Sequence, residues 1–143
     1  MPRYCQATPH DLQTVLTMAL LLHSHDVPVR EVAQAIAGPE SAVFLALAEE
    51  TAVGFAQCAL RHDYVEGVHS SPAGYLEGIY ITPEYRQQGF ARTLVALCED
   101  WSRAQGCVEF ASDCELPNED SLRFHLKLGF AEVNRIICFT KKL

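Results

Sequence analysis

A strand, a short loop and a long helix follow one another directly in the middle of this sequence. Residues 75–82 are largely apolar and strand-forming, and Pro83 ends them because it lacks the backbone N–H that a strand ladder needs. Apolar residues then recur at helical spacing from 89 to about 105, and Gly106 follows as a helix terminator. This succession predicts an α/β protein in which a helix begins close to the end of a central strand.

The other apolar segments place three strands and two helices before this unit, and a helix between two strands after it. Predicted strands cover residues 3–6, 43–48, 53–60, 75–82, 108–112 and 135–140, and predicted helices cover 9–22, 29–37, 89–105 and 118–128. The order β-α-α-β-β-β-α-β-α-β predicts a mixed sheet with helices on its faces, in the α/β (α+β) class. With 143 residues, the chain is expected to form one domain over residues 1–143.

Composition narrows the location and the metal chemistry that we expect. Hydrophobic residues make up 49% and charged residues 20% of the sequence, which is the balance of a globular chain. No apolar run approaches the roughly 20 residues that span a bilayer, and the first residues lack the apolar stretch of a signal peptide, so a cytoplasmic protein is expected. The six cysteines form no C-x-x-C pair and are interpreted as structural thiols, and no metal site is expected.

The charge balance bears on the kind of partner. The formal net charge is −7, whereas nucleic-acid binders need basic surface that displaces counterions from phosphate. We therefore expect no nucleic-acid partner, and no membrane partner. An acidic protein attracts cations, although the same acidity also serves solubility alone.

The loop that joins the central strand to the long helix has the features of a phosphate site. Backbone N–H groups at a helix start lack intrahelical partners, and the helix dipole makes that end positive. Gly89 allows close approach of a ligand to the backbone, Ala91 keeps the first turn small, and Arg86 adds a charged donor. The loop is neither a P-loop nor a dinucleotide fingerprint, so its ligand stays open at this point.

Two motifs in this order resemble the GNAT superfamily of acetyltransferases. The run RQQGFA at 86–91 is similar to the signature R/Q-x-x-G-x-G/A, and NEDSLRFHLKLGF at 118–130 is similar to N-x-x-A-x-x-F-Y-x-K-x-G-F. The resemblance implies the GNAT fold, which has a mixed, mostly antiparallel central sheet with a splayed central strand and helices on both faces. It also implies acetyl-CoA as co-substrate. The coenzyme is then expected to contact Ile79, Tyr80, Ile81, Arg86, Gln87, Gln88, Gly89, Phe90, Ala91 and Asn118.

Within the superfamily, the chain is most similar to the aminoglycoside 6′-N-acetyltransferases. The matching segments are RHDYVEG at 61–67, SSP at 70–72, LEGIY at 76–80, FASD at 110–113, GFAE at 129–132 and FTKK at 139–142. This resemblance implies acetyl transfer to the 6′-amine of aminoglycoside antibiotics by direct attack in a ternary complex, and hence resistance. It also implies a homodimer.

The resemblance and the chemistry of amines together select the candidate site residues. By likeness, Tyr64, Glu77 and Asp113 line the amino-sugar site, where carboxylates bind ammonium groups. A primary amine is mostly protonated at neutral pH and must lose a proton before it attacks a thioester, so Glu77 is the candidate base, directly or through a water. Other interpretations are that Glu77 faces solvent or pairs with a cation, that Asp113 caps a turn or helix, and that Tyr64 packs within its loop.

Three positions depart from the related enzymes. Many superfamily members have a Tyr, which protonates the leaving thiolate, where this chain has His125; that histidine is either a proton donor or a packed helix residue. His23 lies near the place of a Trp in relatives, and Asn134 replaces a frequent Glu, so both are candidate substrate-site residues. The remaining alternatives are a GNAT enzyme for another small amine (a polyamine, amino acid or peptide terminus) and a non-catalytic CoA-binding module.

Overall fold

The strands form a five-stranded sheet in chain order in the computed structural model, which describes residues 1–23 and 25–143. The strands are β1 (Pro2–Gln6), β2 (Ser41–Ala48), β3 (Thr51–Arg61), β4 (Ala73–Ile81) and β5 (Phe110–Ala111). The first four strands pair antiparallel, and β5 joins β4 in parallel. The prediction of a mixed, mostly antiparallel sheet is confirmed.

Helices cover both faces of this sheet. They are α1 (Leu12–Leu22), α2 (Val29–Ala37), α3 (Phe90–Ala104) and α4 (Glu119–Lys127), and in the described part of the chain none is long and apolar enough to cross a membrane. The first two helices share a core with Val43 and Leu45, whereas α3 shares the other core with Phe44 and Ala46. Successive residues of β2 thus enter opposite apolar layers, which explains why the whole strand is apolar.

Most predicted elements agree with the structure to within a few residues. The helix predicted over 29–37 coincides with α2, and the one predicted over 9–22 begins as a 3₁₀ turn at Pro9–Asp11 that leads into α1. The strand predicted over 108–112 is much shorter. Its ladder with β4 consists of the pairs Gly74–Phe110 and Tyr75–Ala111, after which the two strands no longer pair.

The prediction of a closing strand over 135–140 is wrong. Within the described residues 131–143 the backbone forms neither helix nor strand, and every residue is exposed. A strand needs a neighbour with which it exchanges backbone hydrogen bonds, and this segment pairs with no strand among residues 1–23 and 25–143. We refer to residues 131–143 as the C-terminal arm.

Candidate active site

A bulge in β4 presents the candidate base Glu77. On β3, Cys58 pairs with Leu76 and the adjacent Gln57 pairs with Gly78, so Glu77 is the extra residue between two ladder positions. A bulge of this kind bends the strand and changes the direction of the side chain. The unpaired residue Glu77 lies directly before Gly78, which pairs with Gln57.

The Glu77 carboxylate is held by Arg61, the last residue of β3. Arg61 Nε lies 2.9 Å from Glu77 Oε2 and Arg61 Nη2 lies 2.8 Å from Oε1, which is a two-bond, fork-like contact. The hydrogen bond with Glu77 raises the pKa of Arg61 further above its ordinary value. The alternative that Glu77 pairs with a cation therefore describes this structure.

Tyr75 connects this ion pair to the second candidate carboxylate. The Arg61 guanidinium carbon lies 3.8 Å from the centroid of the Tyr75 ring, a cation–π contact, and the Tyr75 hydroxyl donates a hydrogen bond to Asp113. Burial and the Asp113 carboxylate raise the pKa of Tyr75 well above its ordinary value, so the phenol stays a neutral donor. Glu77 and Asp113 thus belong to one network of four side chains.

Each of the two carboxylates lines a different cavity. A cavity of about 650 Å³ lies between β5, α4 and the C-terminal arm, and its lining includes Tyr75, Asp113, His125 and Asn134. A smaller cavity of about 150 Å³ lies against α1 and α2 and is lined by His23 and Glu77, among others. The structure therefore brings His23 close to Glu77, and Asp113, His125 and Asn134 to the larger cavity.

Tyr64 lies on the exposed loop between β3 and β4 and is bound to an acidic neighbour. Its hydroxyl donates to Glu66, and Asn134 of the arm donates its side-chain N–H to the same carboxylate. These two hydrogen bonds, the one from Tyr64 first, lower the pKa of Glu66. The structure thus places Tyr64 and Asn134 around Glu66, which the sequence analysis did not select.

Glu109, which lies directly before β5, binds the same loop. This carboxylate accepts hydrogen bonds from the Ser70 hydroxyl at 2.5 Å and from the His69 backbone N–H at 2.9 Å. Both contacts lower the pKa of Glu109. The loop with Tyr64 is therefore attached at two places, to the segment just before β5 by Glu109 and to the arm by Glu66.

His125 has a defined hydrogen-bond environment on α4. Its Nδ1 lies 2.7 Å from the backbone carbonyl oxygen of Ser121, which only accepts, so Nδ1 carries a proton. Its Nε2 lies 2.8 Å from the Ser112 hydroxyl, directly after β5. The neutral ring accepts from Ser112 and the imidazolium donates to it, so this pair can pass a proton in either direction.

The loop between β4 and α3 has the backbone conformation of an anion site. Gln87 has φ 61° and Gly89, at the helix start, has φ 89°, and a Cβ atom at Gly89 would have no neighbouring atom within 4 Å. Left-handed residues of this kind turn consecutive N–H groups towards one side of the chain. The open space over Gly89 and the start of the fifteen-residue helix α3 fit a phosphate group.

Arg86 supports this loop through a contact that the sequence analysis did not predict. Its Nε donates to the carbonyl oxygen of Ile81 at 2.7 Å, and its guanidinium carbon lies 5.5 Å from the Tyr80 ring centroid. Arg86 thus ties the loop to the end of β4. Its contact with a phosphate stays a prediction, as do those of Gln87, Gln88, Phe90 and Ala91.

The edge of β4 beyond Tyr75 is open towards β5. Ile79, Tyr80 and Ile81 pair with β3 on one side, while the described ladder with β5 ends at Tyr75. Backbone groups on such an edge can bind an extended, amide-containing ligand as an added strand. Asn118 caps α4, since its side-chain oxygen accepts from the Ser121 N–H at 3.1 Å.

These features together define the class of protein. An anion site at a helix start, an open strand edge leading from it and a carboxylate beside that edge fit an enzyme that binds a phosphate-bearing acyl carrier. The profile of the Acetyltransferase (GNAT) family matches residues 11–130. The chain belongs to the GNAT acetyltransferase family, and the predicted family and fold class are confirmed.

Two homologous proteins are similar to this chain over most of its length. The chain is 42% identical over 133 residues, 92% of this chain and 89% of the relative, to an aminoglycoside N(6′)-acetyltransferase type 1 of Serratia marcescens. It is 41% identical over 144 residues, 99% of this chain and 94% of the relative, to the enzyme of the same name from Stenotrophomonas maltophilia.

Solved structures of similar enzymes cover the entire chain. AAC(6′)-Iy in complex with the bisubstrate analogue CoA-S-monomethyl-acetylneamine has a TM-score of 0.94 at 33% identity, over 100% of this chain and 99% of that one. The aminoglycoside 6′-N-acetyltransferase AAC(6′)-Ih from Acinetobacter baumannii has a TM-score of 0.93 at 32% identity, with the same coverage.

Proposed function

We propose that this protein is an aminoglycoside 6′-N-acetyltransferase that confers resistance by moving an acetyl group from acetyl-CoA to the 6′-amine. The observation that carries the proposal is the network of Glu77, Arg61, Tyr75 and Asp113 beside the open edge of β4. The two carboxylates of this network suit a polycationic amine. The relatives at about 40% identity bear the same activity in their names.

Acetyl-CoA fits the backbone groups at the start of α3 and along the open edge of β4. The backbone N–H groups from Arg86 to Ala91, including those of Gln87, Gln88, Gly89 and Phe90, bind the diphosphate at the start of α3. The backbone of Ile79, Tyr80 and Ile81 pairs with the amides of the pantetheine arm, and Asn118 contacts that arm near the thioester. The thioester then lies near the bulge at Glu77.

The reaction follows as direct attack in a ternary complex. Glu77 accepts a proton from the 6′-ammonium group, directly or through a water, and passes it to solvent. The free amine forms the new C–N bond at the thioester carbon, and its nitrogen loses a second proton to Glu77. A backbone N–H of β4 near Ile79 stabilises the oxyanion. The C–S bond then breaks, and the thiolate takes the Ser112 hydroxyl proton as the His125 imidazolium replaces it through Nε2.

Four further side chains are proposed to bind the amino sugar. Asp113 binds an ammonium group from the side of the larger cavity, and His23 borders the smaller cavity beside Glu77. Tyr64 offers a ring on which a sugar stacks, and Asn134 approaches the same region from the arm. These roles rest on position and chemistry.

A panel of amines tests the proposal through release of the CoA thiol. We expect turnover of kanamycin-type aminoglycosides that bear a 6′-amine and none of their 6′-hydroxyl analogues. Turnover confined to a polyamine, an amino acid or a peptide terminus would leave an N-acetyltransferase with a different substrate. No turnover of any amine, with CoA binding retained in calorimetry, would indicate a non-catalytic CoA-binding module.

Replacing Asp113 with Ala is expected to raise the aminoglycoside KM by about tenfold, because a charge-assisted contact with an ammonium group is lost. The KM for acetyl-CoA should stay within about twofold, since the coenzyme is bound along β4 and α3. Steady-state kinetics with each substrate varied measures both values. Asp100→Ala, in an exposed ion pair on α3, is the matched control. Equal losses for both substrates would contradict the assigned role.

We also propose that two copies form a homodimer through the C-terminal arm. The arm exposes Ile136, Ile137 and Phe139, and Ile137 and Phe139 are 81% and 91% exposed. Apolar side chains of this size are seldom left in solvent as a group. In the described sheet β5 is the last strand, so its outer edge is open, and the arm of a second copy fits this edge as an added strand.

Deleting residues 135–143 is expected to convert the dimer to a monomer, because it removes the exposed apolar segment of the arm and no core residue. Light scattering after size-exclusion chromatography measures the mass. Ile137→Asp should have the same effect through the burial of a charge, whereas Lys141→Ala, in the same arm, should leave the dimer intact. A truncated protein that still has the mass of a dimer, or an intact protein that has the mass of a monomer, would contradict the proposal.

Two broader features complete the proposed function. The GNAT domain is proposed to extend over residues 1–143, since β1 and the arm flank the matched segment on either side. A cytoplasmic location is proposed because all six cysteines are free thiols, which suits a reducing compartment.

A further inference from the structure

We propose that Arg61 is a positioning residue for acetyl transfer, which holds the Glu77 carboxylate in its reactive orientation and sets how strongly the site attracts cationic substrates. The inference rests on the proposed function, because it assigns Arg61 a part in the same reaction. It follows from three contacts at the end of β3. These are the fork to Glu77, the stacking on Tyr75 and the hydrogen bond from Tyr75 to Asp113.

The first consequence concerns orientation. Glu77 is the extra residue of a bulge, so the β3–β4 ladder alone does not fix the plane of its carboxylate. The planar guanidinium fixes it with two parallel hydrogen bonds, and the Tyr75 ring fixes the guanidinium. One lone pair on each carboxylate oxygen remains for the substrate amine. Arg61 thereby orients the base and acts on the substrate amine only through Glu77.

The second consequence concerns charge. Glu77 and Asp113 each contribute one negative charge, and Arg61 contributes a positive charge between them. An aminoglycoside ammonium group entering this site meets a cation that already occupies part of the carboxylate surface. Like charges at short range oppose binding, so Arg61 weakens the attraction of the site for polycations while it orients Glu77. Arg61 is therefore expected to raise both kcat and the aminoglycoside KM, and the two changes oppose each other in kcat/KM.

An ordinary surface ion pair would change neither the orientation of a catalytic carboxylate nor the binding of substrate. Exposed ion pairs with a single contact contribute little to folding stability, and salt screens them. The Arg3–Glu50 pair is of that type, with side chains 57% and 75% exposed. The Arg61–Glu77 pair differs because Glu77 is only 24% exposed, the contact has two bonds and an aromatic ring lies under the cation. Arg3 therefore provides a matched control.

The test compares Arg61→Ala with Arg3→Ala in the full chain, after wild-type turnover of a 6′-amine aminoglycoside has been established. We expect kcat of Arg61→Ala to fall by about tenfold or more through loss of orientation, with an aminoglycoside KM that is unchanged or lower. Acetyl-CoA affinity in calorimetry should stay within about twofold. Added guanidinium chloride at tens of millimolar should restore part of kcat, and urea at the same concentration should not.

Arg61→Lys keeps the charge and loses the fork, so its kcat should lie between those of wild type and Arg61→Ala. Arg61→Gln provides a further variant of similar length if the alanine variant does not accumulate. Wild-type kcat in Arg61→Ala, or a fall that guanidinium does not reverse and that is accompanied by a loss of acetyl-CoA affinity, would overturn the inference. Absence of turnover by the wild type would instead contradict the proposed function.

Discussion

Replacing Glu77 with Gln lowers kcat by about 10²- to 10⁴-fold, the range that loss of a general base produces. Gln has the same size but no basic oxygen, so the 6′-ammonium group keeps its proton and cannot attack the thioester. The bulge and the open edge of β4 do not depend on the charge of this side chain. Acetyl-CoA affinity, measured by calorimetry, should therefore stay within about twofold.

Glu50→Gln is the control for this experiment. Glu50 is also paired with an arginine, Arg3, and lies in the β2–β3 turn, so its replacement changes the net charge equally. Its kcat should match that of the wild type. If Glu77→Gln retained wild-type kcat, the proton would be accepted elsewhere, and Glu77 would serve binding alone.

The difference in activity between the wild type and Glu77→Gln should also depend on pH. A rise in pH leaves a larger fraction of the substrate amine unprotonated, so the need for a base decreases. The ratio of wild-type to Glu77→Gln activity is therefore expected to fall as the pH rises towards the pKa of the amine. Stability of the two proteins should be followed across the same range, so that unfolding is not taken for a change in catalysis.

The sequence predicts the layers of this fold well because its core is encoded by local patterns. Residues of β2 such as Phe44 and Leu45 enter opposite apolar layers, and an uninterrupted apolar strand predicts burial on both faces. The long helix has one apolar face and a glycine before it, so its start is located to within one residue. Local periodicity suffices for such elements.

Contacts between distant residues could not be predicted in the same way. Arg61 and Glu77 are sixteen residues apart, and their pairing depends on a bulge that no apolar pattern encodes. Tyr75 and Glu77 alternate with Leu76 along β4, which indicates a shared face, but the cation between them comes from another strand. Resemblance identified the carboxylates, and only the structure identified the residue that connects them.

In the C-terminal arm, by contrast, an apolar pattern typical of a strand predicted an element that the structure does not have. The apolar residues over 135–140 have the propensity of a strand, but propensity supplies no partner for the backbone. If the partner is a second copy, the strand exists only in the dimer. A pattern in one sequence does not reveal whether its neighbour belongs to the same chain.

Replacing Gly89 with Val raises the KM for acetyl-CoA by about tenfold or more, corresponding to the 1–3 kcal/mol cost of a left-handed backbone. Gly89 has φ 89°, which a β-branched residue resists, so the helix start and its N–H groups shift. The new side chain also enters the open space proposed for the diphosphate. Steady-state kinetics with acetyl-CoA varied measures the effect, and kcat at saturation should change far less.

Gly106 provides a matched control at the other end of the same helix. It has φ 92°, and a Cβ atom there also has no neighbour within 4 Å, so Gly106→Val introduces the same backbone strain far from the coenzyme. Both variants should lose similar stability in thermal unfolding, while only Gly89→Val should lose acetyl-CoA affinity. If both lost affinity equally, general strain in α3 would be the cause. If neither did, the diphosphate would bind elsewhere, because a blocked and distorted anion site could not retain it.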